Sequence, residues 1–566
     1  MIRATTMVAL VVMSAAWVGM GCGSSADYAP SGTGADSAAA GAGGQNAASS
    51  GGYAGGVGGS SQGTGGAISS TGGASGSTGG ASGSTGGASG SNTGSIPPGV
   101  TPGTSTVDEE MLPPPAAYDE TGAIYVATNG SDTTGDGSKA APFQTIPHAL
   151  DVGGQGANIV LRGTPYLADG QNVYQGAVRI RNSHVTIRSA QGEWAVIQCS
   201  TDASAEATCV DFDVDASDGK LQRVEVIGGS YYGVAFETKW DWGEADRSGA
   251  SRVLVEECKI HDTGRDSVKV KPGCDDIVIR RSEIYNSGAS YPPGATDKNA
   301  EGIDNVNADR MVVQDSYIHD TATNGIYFKG GSTDCVVERN RVERTGSGGV
   351  LVGFDTSPEF FDLTVNPGYY ESIHGIVRNN FIRDTAGDGI GMYASKNPLV
   401  FNNTVVNTAS SYHSPIYFGL SYQDWDPAAG RPATVDPVLA NNVVVQPSAA
   451  APVVGIRWSS DLGGFGALSG NPDTDYNIYR CAGGSCTFED NRPASPLADG
   501  LFPAWQQHVA DEIHSSTTDP GVDATGHIAA GSVCVDAGRT ISQVKFDIDG
   551  QPRTGAYDMG ADEFAQ

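Results

Sequence analysis

One stretch of the sequence decides the fold. It reads RDSVKVKPGCDDIVIRRSEIYNSG from Arg265, AEGIDNVNADRMVVQDSYIHDTAT from Ala300 and NGIYFKGGSTDCVVERNRVERTGS from Asn324. In each segment short runs of alternating apolar and polar residues are separated by Gly, Asn and Asp turns, which predicts short β-strands. A single repeat of this length cannot bury a core, so neighbouring repeats must stack.

Stacking from about Tyr231 to Gln446 predicts columns of side chains that face the inside. One apolar column contains Val268, Ile303, Ile326, Val350 and Ile390, and a second contains Val255, Ile279, Val313, Val337, Val377 and Val400. A further level, at a turn, contains Cys258, Ser282, Ser316, Asn340, Asn380, Asn403 and Asn442. We expect the apolar columns to form one continuous core.

The asparagine level resembles the ladder of the pectate-lyase-like β-helices, in which amide side chains satisfy one another and the backbone. The segment from Ile124 to Ile146 looks like the entrance of exported proteins of that superfamily, with a capping helix from about Ile146 to Val152. The resemblance implies an all-β fold: a single-stranded right-handed parallel β-helix over residues 118–446, with an N-terminal capping helix. Residues 447–566 are expected to form an irregular, β-rich C-terminal cap.

The N-terminal region predicts export. Residues 1–22 have a basic start and an apolar stretch too short to span a bilayer, which is typical of a signal peptide. Gly19-Met20-Gly21-Cys22 resembles the lipobox of bacterial lipoproteins, which implies that Cys22 is lipidated. Residues 23–117 are rich in Gly, Ser and Ala and predict a flexible linker. We expect a protein anchored at the outer membrane or cell surface, with plain secretion as the alternative.

Charge and cysteine usage fit an extracellular protein. The formal net charge is -31, from 64 acidic and 33 basic residues, which argues against a nucleic-acid partner. Cysteines close together in the sequence predict two disulfides, Cys199 with Cys209 and Cys481 with Cys486. Four further cysteines, Cys258, Cys274, Cys335 and Cys534, have no assigned partner.

Long insertions predict a groove. The insertions at 240–247, 355–371 and 422–431 all follow the same strand of their repeats, whereas that at 290–299 precedes it. They should therefore form opposite rims of one face. The aromatic residues predicted to stack on sugar rings there, or else to pack the loops onto the repeats, are Trp240, Trp242, Phe360, Tyr369, Tyr370 and Trp425.

The expected floor of this groove carries charged side chains. The alternation that points Val268 and Val270 inward points Lys269 and Lys271 outward. The register then places Asp304 beside Lys269, Tyr327 on the next repeat, and Lys329 at the level of Lys271. At the adjoining turn, one column contains Asp266, Glu301, Asn324 and Asp388.

This floor resembles the calcium-dependent alginate and chondroitin lyases, because Ala300-Glu301-Gly302-Ile303 and Phe328-Lys329-Gly330 look similar to that family's acidic and basic segments. The resemblance implies β-elimination of an acidic polysaccharide by a monomer. Asp266, Glu301 and Asp304 would hold calcium, Lys329 with Lys271 and Lys269 would supply the base, and Tyr327 would be the acid. The chain departs from that family at Val306-Asn307-Ala308, where the family has its lysine base.

Other functions stay open at this point. Lysines and carboxylates on successive repeats also form ordinary surface salt bridges, which would leave a non-catalytic module that binds glycan or protein. A C5-epimerase shares the proton abstraction with a lyase. A glycoside hydrolase has less support, because Asp275-Asp276 stands without a surrounding hydrolase motif.

Overall fold

The structure is a computed structural model that describes residues 119–205, 207–240, 246–295, 298–421, 430–447, 452–460 and 463–564. The predicted signal peptide and linker lie outside the described residues, and so do Cys22, Trp242 and Trp425.

Within these residues the chain winds into coils, each of which gives one strand to each of three long parallel sheets. The first sheet contains Ile124–Val126, Asn158–Leu161, Thr186–Ser189, Lys220–Gln222, Leu254–Glu256, Val278–Arg280, Val312–Gln314, Val336–Glu338, Ile376–Arg378, Leu399–Phe401, Val438–Ala440 and Asp473–Asp475. The second contains Val178–Ile180, Thr208–Phe212, Tyr232–Phe236, Val268–Val270, Ile303–Val306, Ile326–Lys329, Val350–Val352, Ile390–Tyr393, Ile416–Gly419, Val454–Ile456, Thr487–Asp490 and, antiparallel at the end, Leu497–Leu501. The third contains Val173–Gln175, Ala195–Gln198, Val224–Ile227, Lys259–His261, Glu283–Tyr285, Tyr317–His319, Arg341–Glu343, Phe381–Arg383, Thr404–Val406, Val443–Gln446 and Ile478–Cys481.

Short strands and helices lie outside the three long sheets. Two-residue strands at Ser332–Thr333, Ser372–Ile373 and Ser395–Lys396 form a small parallel sheet, and Trp458–Ser459 pairs with Phe465–Gly466. The 3-10 helices are Pro358–Phe360 and Ala482–Gly484, and the α-helices are Ile146–Gly153 and Phe502–Val509. Neither α-helix of the described residues is long and apolar enough to cross a membrane.

The predicted inward columns are confirmed. Val268 pairs with Ile303, Ile303 with Ile326, Ile326 with Val350, and Val350 with Ile390 on successive coils. All five side chains are completely buried in one core cluster that runs along the solenoid. Since each coil packs its apolar side chains only on its neighbours, the core is continuous although no single coil could form it.

The asparagine ladder is also confirmed, and it extends one coil further than predicted. The amide nitrogen of Asn340 donates to the side-chain oxygen of Asn380, which repeats from Asn380 to Asn403, from Asn403 to Asn442, and from Asn442 to Asn477 at 3.0 to 3.1 Å. These side chains are buried, so the ladder satisfies polar groups that water cannot reach.

Both ends of the solenoid are covered by a short helix. The N-terminal helix Ile146–Gly153 matches the expectation, with the side chain of Thr145 accepting a hydrogen bond from the backbone of His148. At the other end the coils continue past the expected boundary at residue 446, because Val454–Ile456, Asp473–Asp475 and Ile478–Cys481 extend all three sheets. Residues 457–472 interrupt the repeat there, so the last coil could not be recognised from the periodicity of the sequence.

The final segment does not close the end of the solenoid but lies along its side. Asn402 donates to the carbonyl oxygen of Asp558 at 2.9 Å, and Arg553 donates to the side-chain oxygen of Asn379 at 2.9 Å. Apolar residues of this segment bury the outer faces of coils, in a cluster of Val312, Val336, Ile376, Leu399, Phe401, Val438, Ala440, Ile541, Val544 and Tyr557. The segment therefore covers surface that belongs to much earlier coils.

The structure contains the two disulfides, Cys199–Cys209 and Cys481–Cys486. The four other described cysteines, Cys258, Cys274, Cys335 and Cys534, are buried free thiols. Burial raises the pKa of the Cys258 thiol to about 12, so it is a packing residue rather than a nucleophile.

Candidate functional site

The predicted column on the outward face of the second sheet exists. Lys269 pairs in register with Asp304, Asp304 with Tyr327, and Val306 with Lys329, as the alternation of the strands requires. Lys271 follows Val270, so it lies level with Val306 and Lys329. The coils thus bring the predicted charged residues together on one face.

Three carboxylates meet at this face. Asp266, Glu301 and Asp304, which we call the acidic triad, place ligand oxygens within 4.8 Å of one another. Asp266 accepts a hydrogen bond from the backbone nitrogen of Glu301 at 3.0 Å, so the two coils are linked at the turn. The ammonium of Lys269 contacts Asp304 directly and lies 3.7 Å from Asp266.

Burial controls the charge of the acidic triad. The side chains are 0–3% exposed, and burial together with the charge of Glu301 raises the pKa of Asp266 well above its usual range. Burial and the charge of Asp304 likewise raise the pKa of Glu301. Burial lowers the pKa of Lys269, but the interactions with Asp304, Tyr232 and Asp266 together outweigh it and raise the pKa of that lysine. Lys269 therefore faces three carboxylates, whose combined negative charge it cannot balance alone. A bound cation or protons would have to balance the rest.

Two oxygens of the acidic triad support cation binding. Oε2 of Glu301 and Oδ1 of Asp304 are buried without a hydrogen-bond partner. Oxygen atoms from converging carboxylates are the ligands that calcium prefers, so these residues fit the predicted ion. Any ion there would share Asp304 with Lys269.

The expectation of an open floor is wrong at Tyr327 and Lys329. Lys329 is 5% exposed, donates to the carbonyl oxygen of Asp355 at 3.0 Å, and lies 4.4 Å from the centre of the Tyr327 ring. Tyr327 is 1% exposed and packs in an apolar cluster with Leu351, Tyr393 and Tyr417. The loop after Gly353 lies on these side chains, so neither can reach a polymer as the predicted base or acid in this arrangement.

Lys271 and Lys269 differ from Lys329 in keeping some exposure. The side chain of Lys271 is 15% exposed and pairs with Glu237. That of Lys269 is 14% exposed. Both are thus at the edge of the closed region, and both already have acidic partners.

The aromatic side chains of the insertions mainly hold the loops together. Trp240 is buried, donates to the carbonyl oxygen of Glu359 at 3.0 Å, and lies under Arg247. It therefore joins two insertions of the same rim, which is the packing alternative for Trp240 rather than the sugar-stacking one. Phe360, Tyr369 and Tyr370 are half-buried and keep part of their rings open.

An open cleft that the sequence did not predict lies farther along the outward face of the same sheet. It has a volume of about 270 Å³ and is lined by His413, Ser414, Tyr417, Ile456, Arg457, Trp458, Glu489 and Asn491. We call this the His413 cleft. Its one signal in the sequence was Asp388, which continues the column of Asp266 and Glu301 and contacts His413 at 3.0 Å. His413 itself lies in an irregular stretch before its strand, where the repeat gives no register.

A comparison with known protein families supports the repeated coils of the structure. The family described as "Right handed beta helix region" matches residues 212–370 and 249–419. The described coils form a right-handed parallel β-helix. No curated protein matches its sequence.

Solved structures similar to this β-helix include the pectate lyase Pel9A, at 16% identity and a TM-score of 0.47 over 78% of this chain and 96% of that chain. An alginate lyase from Paenibacillus sp. shares 18% identity, with a TM-score of 0.37 over 59% and 91% of the two chains. The A-module of the mannuronan C-5 epimerase AlgE4 from Azotobacter vinelandii shares 14%, with a TM-score of 0.37 over 60% and 89%. At these values the likeness says nothing about the reaction of this β-helix.

A larger depression of about 560 Å³ on the β-helix is less suited to a ligand. It is lined by residues that include Arg247, Arg252, Asp215 and Asp218. Arg252 is already paired with Asp218 at 2.7 Å, and Arg247 with Asp362 at 2.6 Å. Its arginines are thus neutralised by the protein itself.

Proposed function

We propose that this protein is an exported, carbohydrate-acting β-helix that cleaves a uronic-acid polymer by β-elimination. The observation that supports it is the acidic triad, in which carboxylates from adjacent coils converge beside Lys269 with two buried oxygens unpaired. Such a concentration of uncompensated charge is costly to fold, and functional sites are where proteins retain it.

Calcium is the proposed cofactor. Asp266, Glu301 and Asp304 would hold it through carboxylate oxygens. When bound, it would supply positive charge to the outward face, along which the carboxylates of an acidic polymer would lie. Lys269 supplies part of that charge in this structure, through its contacts with Asp304 and Asp266.

The proposed setting is outside the cell. Two disulfides fit an oxidising compartment. Residues 1–22 would direct export, Cys22 would carry a lipid anchor, and residues 23–117 would tether the β-helix, with plain secretion as the alternative. The partner would be an acidic polysaccharide that a monomer binds along its outward face.

The test is the ultraviolet absorbance of unsaturated uronate products. The purified protein is incubated with alginate, pectate and glycosaminoglycans, in calcium and in chelator. We expect a calcium-dependent rise on one polymer that Glu301→Gln abolishes and Glu283→Gln, at a half-buried glutamate of the third sheet, leaves unchanged. No rise on any polymer would overturn the lyase proposal.

A second candidate function has its own supporting observation. Lys329 and Tyr327, the predicted base and acid, are buried. This favours a surface module that binds glycan without cleaving it. Retained glycan binding together with the absence of products would identify that module.

A further inference from the structure

The His413 cleft contains a histidine held by a carboxylate. Nδ1 of His413 lies 3.0 Å from Oδ1 of Asp388, and its ring is stacked on that of Tyr417 with the centres 4.0 Å apart. Asp388 is 2% exposed and so is a fixed, buried acceptor. With Nδ1 donating to Asp388, the lone pair is on Nε2, which has no hydrogen-bond partner among the described residues. That is the orientation a proton-abstracting histidine requires.

A hydroxyl group lies beside this histidine. Burial raises the pKa of Tyr417 above its usual range, while the neighbouring Arg457 opposes the rise. Tyr417 is thus protonated at neutral pH, and although it is only 7% exposed it lines the open cleft, unlike Tyr327. The cleft thus holds a base and an acid side by side, which general acid–base catalysis needs.

The cleft also has groups suited to a carboxylated sugar. Arg457 is half-buried and has no ion-pair partner among the described residues, although the chain has an excess of acidic residues. A guanidinium binds carboxylate through two parallel hydrogen bonds. Trp458, also half-buried, offers an aromatic face next to it. Glu489 lines the same cleft, and its charge favours placement of a substrate carboxylate on the Arg457 side.

The His413 cleft is separate from the acidic triad. In the register of the second sheet, Tyr327 pairs with Leu351, Leu351 with Gly391, and Gly391 with Tyr417. Three ladder steps place Tyr417 roughly 14 Å from Tyr327 along the solenoid axis. The same outward face therefore has a closed, acidic part and an open part, in which Arg457 has no ion-pair partner among the described residues.

We infer that the His413 cleft binds a uronate unit and carries out its proton transfer, with His413 as base, Tyr417 as acid and Arg457 as the carboxylate ligand. The proton-transfer role rests on the proposed function, whereas the binding role does not. Asp388 is the positioning residue for His413.

The proposed step balances without a further reactant. Nε2 of His413 takes the proton from C5 of the uronate, the C5–H electron pair forms the C4–C5 double bond, and the C4–O bond breaks. The leaving oxygen takes the proton of Tyr417. The proton on His413 then returns through solvent to Tyr417, and the products are an unsaturated uronate end and a free hydroxyl end.

Binding is tested first, by calorimetry of the purified protein with short oligosaccharides of alginate and pectate and with neutral xylo-oligosaccharides. We expect uronate oligosaccharides to bind, and Arg457→Gln to weaken them by at least about tenfold, because a charged hydrogen-bonded pair is lost. Arg480→Gln is the matched control, since that arginine is half-buried elsewhere and its ion pair with Asp519 is long, at 3.4 Å. No uronate binding, or equal binding by Arg457→Gln, would overturn the inference.

Turnover is tested with His413→Asn and Tyr417→Phe on whichever polymer the wild-type protein cleaves. Asparagine tolerates the positive φ of 64° at position 413, so this variant should fold. We expect unchanged oligosaccharide binding and kcat lower by on the order of 10²–10⁴. Cleavage at the wild-type rate by both variants would overturn the proton-transfer role and leave the lyase proposal standing. Uronate binding without any wild-type cleavage would overturn the lyase proposal and the proton-transfer role, and would support the binding role.

Discussion

Nδ1 of His413 lies 3.0 Å from Oδ1 of Asp388, and the two residues come from successive coils of the second sheet. Asp388 also lies 3.3 Å from the hydroxyl of Tyr393, whose pKa burial and the charge of Asp388 raise well above its usual range. A protonated tyrosine and a histidine therefore share one buried carboxylate. This arrangement fixes the histidine ring although its neighbouring backbone is irregular.

Asp388→Asn is expected to lower kcat on the cleaved polymer by on the order of 10² with little change in KM. The amide would allow the His413 ring to adopt the wrong tautomer while leaving Arg457 in place. Asp388→Glu should restore part of the rate. Steady-state kinetics check this, and a change in KM alone would show that Asp388 supports binding only.

Lys269→Met is expected to make stability depend strongly on calcium. It removes the positive charge that contacts Asp304, so the chelated protein should lose on the order of 3–5 kcal/mol of unfolding free energy. Calcium should restore more stability to the variant than to the wild type, because it binds the folded triad only. Urea unfolding in calcium and in chelator measures this. Equal calcium effects on both proteins would argue against an ion at the acidic triad.

Asp211 is expected to destabilise the protein as pH rises. Burial and the nearby charge of Glu237 raise its pKa to about 7, so the folded state binds a proton that the unfolded state releases at lower pH. Stability linked to this group is therefore fully present below about pH 4 and is lost as pH rises through 7. Asp211→Asn should raise the unfolding free energy by a few kcal/mol at pH 8 and change it little at pH 4. Thermal unfolding at the two pH values checks the sign.

Asn403→Ala is expected to cost about 3 kcal/mol of unfolding free energy. Its side chain donates to Asn442 and to the carbonyl oxygen of Val377 and accepts from Asn380, so the change leaves buried polar groups unpaired. Gln144→Ala, at an exposed amide, is the control and should change stability by less than about 0.5 kcal/mol. A loss for Asn403→Ala as small as that expected for Gln144→Ala would show that the ladder adds little stability.

Local periodicity explains what could be predicted. Alternation along each strand sets which side chains point inward, so the columns of Val268 and Asn340 and the register of Lys269 with Asp304 followed from the sequence. The exposure of the side chains could not be predicted from the sequence in the same way. Lys329 is buried by a contact with Asp355, which lies in a loop without a repeat.

The His413 cleft was missed for the same physical reason. His413 and Arg457 lie outside the regular repeat, and their approach depends on how irregular segments pack. Trp240 shows the same effect, since its partner Glu359 is far away in sequence. A repeat thus predicts the positions of side chains within the coils but not which of them the connecting loops leave open.

The segment along the side of the solenoid has a consequence for the order of assembly. Arg553 contacts Asn379, and Asp558 contacts Asn402, so these coils are completed by residues that are synthesised more than 150 positions later. Arg553 also donates hydrogen bonds to the carbonyl oxygens of Gly560 and Ala561, so the segment is held together by its own contacts. A nascent chain can therefore wind its coils one by one, but it cannot cover their flank until Arg553 to Ala561 have been synthesised.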